Sequence, residues 1–302
     1  MQILVVGSVA YDTVRTPFGA VTEVLGGSAA YFSVAAAFFT DVRLVAVVGE
    51  DFAEEHLQLL RERRVDLEGL SRVPGRTFRW RGEYGFDLNE AKTLETHLNV
   101  FATFRPRIPP AYRESEIVFL ANIDPDLQRE VLAQVAAPRL VAADTMNFWI
   151  MGKPESLRET LKQVHTLLIN DAEARMLTGE PNLVKAARKI LSWGPRSLVI
   201  KRGEYGALMF SDGWWFSAPA LPLEQILDPT GAGDSFAGGF LGYLANTGNF
   251  SLDIIRKAVI MGSVMASFAV EDFSLNRLTR LTYPEIEARY REFKALAQFE
   301  DI

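Results

Sequence analysis

Between Asp228 and Phe236 the chain reads Asp-Pro-Thr-Gly-Ala-Gly-Asp-Ser-Phe, and an apolar stretch, Ala237 to Ala245, follows directly. The string predicts a Gly-rich turn feeding a helix N-terminus. A helix leaves the N–H groups of its first turn unpaired, and its macrodipole adds partial positive charge there. Gly231 and Gly233, on either side of Ala232, let a phosphate-sized anion approach the backbone without a Cβ in the way. Asp234 stands inside this cradle. A carboxylate beside a bound anion is unfavourable unless it does chemistry, and the chemistry that suits it is general base catalysis. Taken alone, the Gly-Ala-Gly-Asp core would more simply be a turn, with Thr230 or Asp234 as an N-cap.

Other polar residues fall where strands are expected to end. Asp12 follows the apolar run Gln2 to Gly7, Asp144 and Asn147 follow Leu140 to Ala143, and Asn170 and Glu173 follow Leu167 to Ile169. Lys201, Gly203 and Gly206 follow Leu198 to Ile200. Each alone reads as a cap or a turn. In an open parallel sheet, however, the carboxyl ends of the strands line one edge, which is where such sheets bind ligands. Gly26-Gly27-Ser28 before the small-residue helix Ala29 to Phe39 adds a further place of close backbone approach.

Regular alternation of these strands with helices is what positions the clusters. Val42 to Val48 is a buried strand, Asp51 is expected to cap a helix through Arg64, and strand–helix alternation resumes after the Pro-rich stretch Arg105 to Pro110, read as a boundary. The resulting fold class is α/β, a doubly wound, mostly parallel sheet flanked by helices. Ser211-Asp212-Gly213 signals a hairpin between Ala207–Phe210 and Trp214–Phe216. Helices are expected over 231–246, 252–270 and 284–297. The texture differs from Thr77 to Phe104, where Thr77 to Tyr84 alternates and Thr93 to Phe104 does so loosely. With the β-branched stretch Thr13 to Val24, this region is expected to form a small β-sheet outside the main fold, a lid at about 13–25 and 76–104.

The bulk numbers bound the function. The chain has 302 residues, 48% hydrophobic, a net charge of -6 and no cysteine. The acidic balance, with Lys and Arg dispersed, argues against nucleic acid as the main partner. The absence of cysteine excludes disulfides and thiolate metal sites, and the three histidines (His56, His97 and His165) have no metal-ligand spacing. No apolar run is long enough to span a bilayer and no signal-peptide pattern opens the chain, so the expected location is the cytoplasm.

The string from Asp228 to Phe236, with Ala237-Gly238-Gly239-Phe240 after it, resembles the C-terminal signature of the PfkB family, the ribokinase-like sugar and nucleoside kinases. It differs from a Walker A loop, because no Gly-Lys-Ser/Thr follows, and from GxGxxG, because Phe236 stands at the third glycine's place. The resemblance covers nearly the whole chain, expected to be a single kinase domain over 1–302. It implies ATP as donor, Mg²⁺ placed through water by Asn170 and Glu173, Gly231 to Gly233 as anion hole and Asp234 as base. Gly26 and Gly27 resemble the family's diglycine signature, which lines the acceptor pocket with Ser28 and Tyr31, and Asp12 matches the aspartate that binds acceptor hydroxyls. Asn147 is assigned to the same pocket. Lys201, Gly203, Gly206 and Thr230 are expected along the nucleotide phosphates, with Ser263, Ser267 and Asp272 around adenine. Asp228 and Thr230 match the place of a monovalent cation such as K⁺.

Tyr31 departs from the family, many members of which have Asn there; its ring either stacks on a sugar or base or packs in the helix. The leading expectation is phosphoryl transfer to a hydroxyl of a sugar or sugar-like acceptor. Its rival is a nucleoside kinase in which Phe78, Trp80 and Tyr84 of the lid, with Tyr31, sandwich a base. A phosphorylated acceptor would draw on Arg79, Arg81 and Arg105. From another class comes a non-catalytic, PfkB-like binding or scaffold protein, against which the intact Asp234, Gly231, Gly233, Asn170 and Glu173 argue. A homodimer through the apolar face of the lid is a further expectation.

Overall fold

Apolar runs of four to nine residues separated by amphipathic helices dictate a layered architecture, and the computed structural model, which describes residues 1–211, 213–298 and 300, has one. The chain opens with β1 (Ile3–Val6), β2 (Ala10–Thr16), β3 (Gly19–Gly26), α1 (Ser28–Ala36), β4 (Val42–Gly49) and α2 (Glu54–Glu62). Then come β5 (Val65–Val73), β6 (Phe78–Tyr84), β7 (Ala91–His97), β8 (Ile117–Leu120), α3 (Pro125–Leu132) and β9 (Leu140–Asp144). The middle of the chain adds α4 (Asn147–Gly152), α5 (Pro154–Leu161), β10 (Thr166–Asn170), α6 (Asp171–Thr178), α7 (Leu183–Leu191) and β11 (Ser197–Lys201). Last come β12 (Ala207–Ser211), β13 (Trp214–Ala218), α8 (Ala232–Thr247), α9 (Leu252–Ala269), α10 (Asn276–Arg280) and α11 (Tyr283–Leu296).

Nine strands form the main sheet in the order β13-β12-β11-β10-β9-β8-β1-β4-β5. From β11 to β5 every neighbour is parallel, and only the β12–β13 hairpin at the edge runs antiparallel. Parallel central strands are covered on both faces, which is why β1, β8 and β9 are buried along their whole length. One apolar layer packs α1, α8 and α9 against the sheet; the other holds α3 to α7. Asp212, the middle of the expected hairpin signal, lies outside the described residues.

Four strands, β3-β2-β6-β7, make the separate small sheet. Its central pair, β2 and β6, is parallel, while both flanking pairs are antiparallel. The lid therefore begins at Ala10, and Asp12 sits on lid strand β2 rather than on the end of β1.

Two local expectations are corrected. Asp51 does not cap α2, whose N-cap is Ala53; its carboxylate is drawn away to the N–H and hydroxyl of Thr77, both at 2.7 Å, and to Arg79 at 2.8 Å. The stretch Thr93 to Phe104 is a strand only to His97 and then tightens into a 3-10 turn, Asn99–Thr103, where Phe101 stacks between Phe78 and Phe104. The Pro-rich stretch Arg105 to Pro110 lies between lid strand β7 and main-sheet strand β8, and within it Ile108 is buried, its N–H donating to Gln134 Oε1 at 3.0 Å. Strand β5 escaped the sequence reading since its burial pattern is broken by exposed charges at an edge of the sheet. Among the described residues no helix is long and apolar enough to cross a membrane.

Candidate active site

Helix α8 begins where the sequence places an anion cradle. Gly231 is its N-cap, in the left-handed region at φ 74°, and Asp234 lies in its first turn. A Cβ at Gly231 would fall 2.3 Å from carbons of the Tyr31 ring, so the cradle and that tyrosine fit together only with glycine there. At Gly233 a Cβ would come within 2.9 Å of Lys201 Nζ. The cradle thus has a lysine at its mouth.

Lys201 closes β11 and is the register partner of Asn170, which closes β10. Its Nζ lies 3.1 Å from Oδ2 of Asp144, the last residue of β9. Burial pulls the ammonium pKa down, but Asp144, Glu173 and Asp234 outweigh that, and it ends above its ordinary value. Asn170 and Glu173 hold each other at the start of α6: Asn170 Oδ1 accepts the Glu173 N–H at 2.7 Å, and Glu173 Oε2 accepts the Asn170 N–H at 2.8 Å. Burial first, and then Asp144, push the Glu173 carboxyl up to about 7. Asp234 is likewise held well above the usual carboxylate range, by burial and then by Asp144 and Asp12, with Lys201 opposing. A carboxyl raised in this way is a stronger base than an ordinary aspartate.

A second group of carboxylates faces the lid. Asp12, almost wholly buried, accepts the Gly27 N–H at 3.4 Å and lies over Gly26, where a Cβ would fall 1.9 Å from its Oδ2. Burial, with the charge of Asp228 behind it, lifts the Asp12 carboxyl to about 7. Ser28 turns instead to Ser8, its N–H donating to Ser8 Oγ at 3.0 Å. Tyr31 is buried with its ring against Gly231, and its hydroxyl has no hydrogen-bond partner. Its ring is therefore taken up by packing, leaving the hydroxyl as its polar offer.

Asp228 is fully buried and accepts backbone N–H groups on both oxygens, from Thr230 at 2.9 Å and Ser274 at 3.3 Å. That donor set suits a carboxylate bracing the loop better than one ligating a cation. The Thr230 hydroxyl donates to Tyr84 of the lid at 3.3 Å.

Of the expected nucleotide residues, Asn170, Lys201, Gly203 and Gly206 line one cleft of about 1290 Å³ together with Gly233, whereas Glu173 and Thr230 are not part of its lining. Ser263, Ala266, Ser267 and Val270 supply one wall from a single face of α9 and its end, the spacing of neighbouring helical turns. Glu173 touches the cleft through its capping partner Asn170. Asp272 stands outside this lining, paired with Arg280. Asn147 is exposed at the start of α4, where its Oδ1 accepts the Phe148 N–H at 2.8 Å, and no contact joins it to the carboxylates.

The lid presents its two faces unequally. Asp12 and Trp80 are register partners in the β2–β6 pair, so their side chains share a face, which Tyr84 also joins by the period of two. The Trp80 indole lies against Gly82, where a Cβ would meet it at 2.2 Å. The opposite face carries Arg79, paired with Glu23 at 2.6 Å and Asp51 at 2.8 Å, and Arg81, paired with Glu95 at 3.0 Å. Arg79 and Arg81 are thus paired with carboxylates and turned from Asp12, so neither offers a free charge to a phosphorylated acceptor on that face.

Two parts of the site carried little or no signal in the sequence. Asp144 stood out only as one polar residue at a strand end. The lid tip at 86–90, which lines the cleft, gave none.

The sequence pattern described as pfkB family carbohydrate kinase matches residues 2–279. A cytidine kinase of Thermococcus kodakarensis is 34% identical over 246 residues, covering 80% of this chain and 87% of that protein. Among solved structures, a Burkholderia thailandensis nucleoside kinase in complex with inosine superposes with a TM-score of 0.75 over 97% of this chain and 99% of its own, at 20% identity. An E. coli chain described as a ribokinase II, in complex with ATP and Mg²⁺, gives a TM-score of 0.79 over 96% and 99% at 16% identity.

Proposed function

Because the chain belongs to the PfkB family of carbohydrate kinases, we propose that it transfers the γ-phosphate of ATP to a hydroxyl of a nucleoside, with cytidine the first candidate. The observation that carries the acceptor class is the likeness to a cytidine kinase over most of both chains. The lid supports it: a flat indole, Trp80, lies on the same face as Asp12, giving a base a platform beside the group that holds the ribose. This shifts weight from the free sugar expected at first to the nucleoside.

In this reading Asp12 accepts hydrogen bonds from ribose hydroxyls, with Gly26, Gly27 and Ser28 shaping the floor beneath it. Tyr31 adds its unpartnered hydroxyl. Asp234 takes the proton of the attacking hydroxyl as the bond to phosphorus forms. An alcohol is a poor nucleophile at neutral pH, so a base with a raised pKa at the attack point suits the step. Charge on the transferred oxygens is met by the N–H groups of Gly231 and Gly233, the Ala232 N–H being engaged by Pro229 O at 3.2 Å, and by Lys201, held in place by Asp144.

Among the described residues no group of three or more His, Cys, Asp or Glu side chains could hold a metal directly. The residues fit a metal carried by phosphates and water: the Asn170–Glu173 cap engages only Oε2 of the Glu173 carboxylate, and Asn170 lines the cleft. Bound there, Mg²⁺ would neutralise phosphate charge.

The test is ATP consumption over a panel of nucleosides, pentoses, hexoses and phosphosugars. Cytidine or another nucleoside is expected to exceed ribose in kcat/KM by about tenfold or more, the size of one well-made set of pocket contacts. Ribose as the best acceptor would return the reading to a sugar kinase.

A further inference from the structure

The turn between β6 and β7 reaches beyond the acceptor side of the lid. Phe86, Asp87 and Asn89 line the same cleft as Lys201, Gly203 and Gly233, where the nucleotide phosphates are expected. Asn89 makes the contact across the gap. A Cβ on Gly203 would fall 1.7 Å from Asn89 Oδ1, so the amide sits directly on the Gly203 turn. Asp87 holds that amide in place, its Oδ1 accepting both the N–H and Nδ2 of Asn89 at 2.9 Å. Phe86, beside this anchored pair, is 100% exposed although it stands at the mouth of the cavity. A large aromatic left in water at the rim of a cleft is matched to a ligand with an apolar face.

We infer that the lid tip is a wall of the phosphate-donor site, with Asn89 docked on the Gly203 turn and Phe86 covering the bound nucleotide. The lid then touches both substrates: the acceptor through the Asp12–Trp80–Tyr84 face, the donor through its tip. The inference rests on the cleft being the ATP site, as the proposed function has it, but not on which acceptor is used.

The test is calorimetric titration of Mg-ADP into wild type, Phe86→Ala and Phe86→Trp, with no acceptor present. Loss of one aromatic contact is expected to weaken ADP about two- to twelvefold in Phe86→Ala, while Phe86→Trp stays within about twofold of wild type. With a working acceptor at hand, KM for ATP is expected to rise and KM for the acceptor to hold. Unchanged ADP affinity in Phe86→Ala overturns the inference. A wild type that binds no ADP overturns it together with the assignment of the cleft. A wild type that binds ADP and phosphorylates no nucleoside removes only the acceptor reading.

Discussion

The Thr230 hydroxyl donates to that of Tyr84 at 3.3 Å, joining the loop that carries the anion cradle to the strand that carries the lid. Burial of Tyr84, reinforced by Asp228, Asp12 and Asp234, raises its pKa, so it stays a neutral phenol whose own proton remains to be given. Tyr84→Phe removes this link while keeping the ring. One hydrogen bond of about 0.5–1.5 kcal/mol predicts a two- to twelvefold fall in kcat/KM for the acceptor. Hydrolysis of ATP without acceptor is expected to rise, because a looser lid admits water. Steady-state kinetics with and without acceptor check both; no change in either would leave the contact without a role.

Asp234→Asn keeps the volume and loses the proposed base. Turnover is expected to fall about 10²–10⁴-fold, the usual contribution of a placed general base, with ADP affinity little changed. Single-turnover phosphoryl transfer and calorimetry separate these. Turnover near wild type would take Asp234 out of the proton transfer.

The carboxylates also set a pH dependence. Asp12 is lifted to about 7 and Asp234 is raised as well, both mainly by burial, so activity is expected to climb with pH along a limb near 7 or above. The stability effect runs the other way. The unfolded Asp12 ionises near its ordinary value of 3.8 and the folded one only near 7, so this group's stabilising contribution is full below 3.8 and is lost as pH rises to 7. Asp12→Asn is therefore expected to raise Tm relative to wild type more at pH 8 than at pH 4. Thermal melts at the two pH values test this, and an equal difference at both would show that Asp12 titrates normally.

Lys201 compensates several acids at once. Lys201→Met leaves Asp144 buried at the end of β9 without its 3.1 Å partner, a loss of about 3–5 kcal/mol. Turnover is expected to fall about 10²–10³-fold with it, the scale of removing one donor from a developing anion. Adding Asp144→Asn should restore most of the stability and little of the turnover. Urea unfolding and kcat on the single and double variants decide between a structural and a chemical lysine.

Much of this was legible in the chain because its physics is local. Apolar runs of strand length fix β1, β4, β8 and β11, and the parallel rule then carries Asp144, Asn170 and Lys201 to one edge. The Gly-Ala-Gly-Asp turn announces its helix by composition alone. What escaped depends on partners distant in sequence. Asp51 looks like a cap until Thr77, 26 residues on, claims its carboxylate. Tyr31 reads as either a stacking or a packing ring until Gly231 is laid against it. Asp12 was expected at the mouth of β1, because nothing local reveals that β2 pairs with β6 across a gap of more than sixty residues.

That last pairing has a kinetic consequence. In the proposed reading, the carboxylate that holds the acceptor, Asp12, is built into the lid's own central strand, in register with Trp80. A rotation of the small sheet away from the cleft carries Asp12 with it, and so unhooks the acceptor as it uncovers it. Opening and unbinding become one event. Wherever lid opening is slower than phosphoryl transfer, it then sets the turnover and the departure of product together.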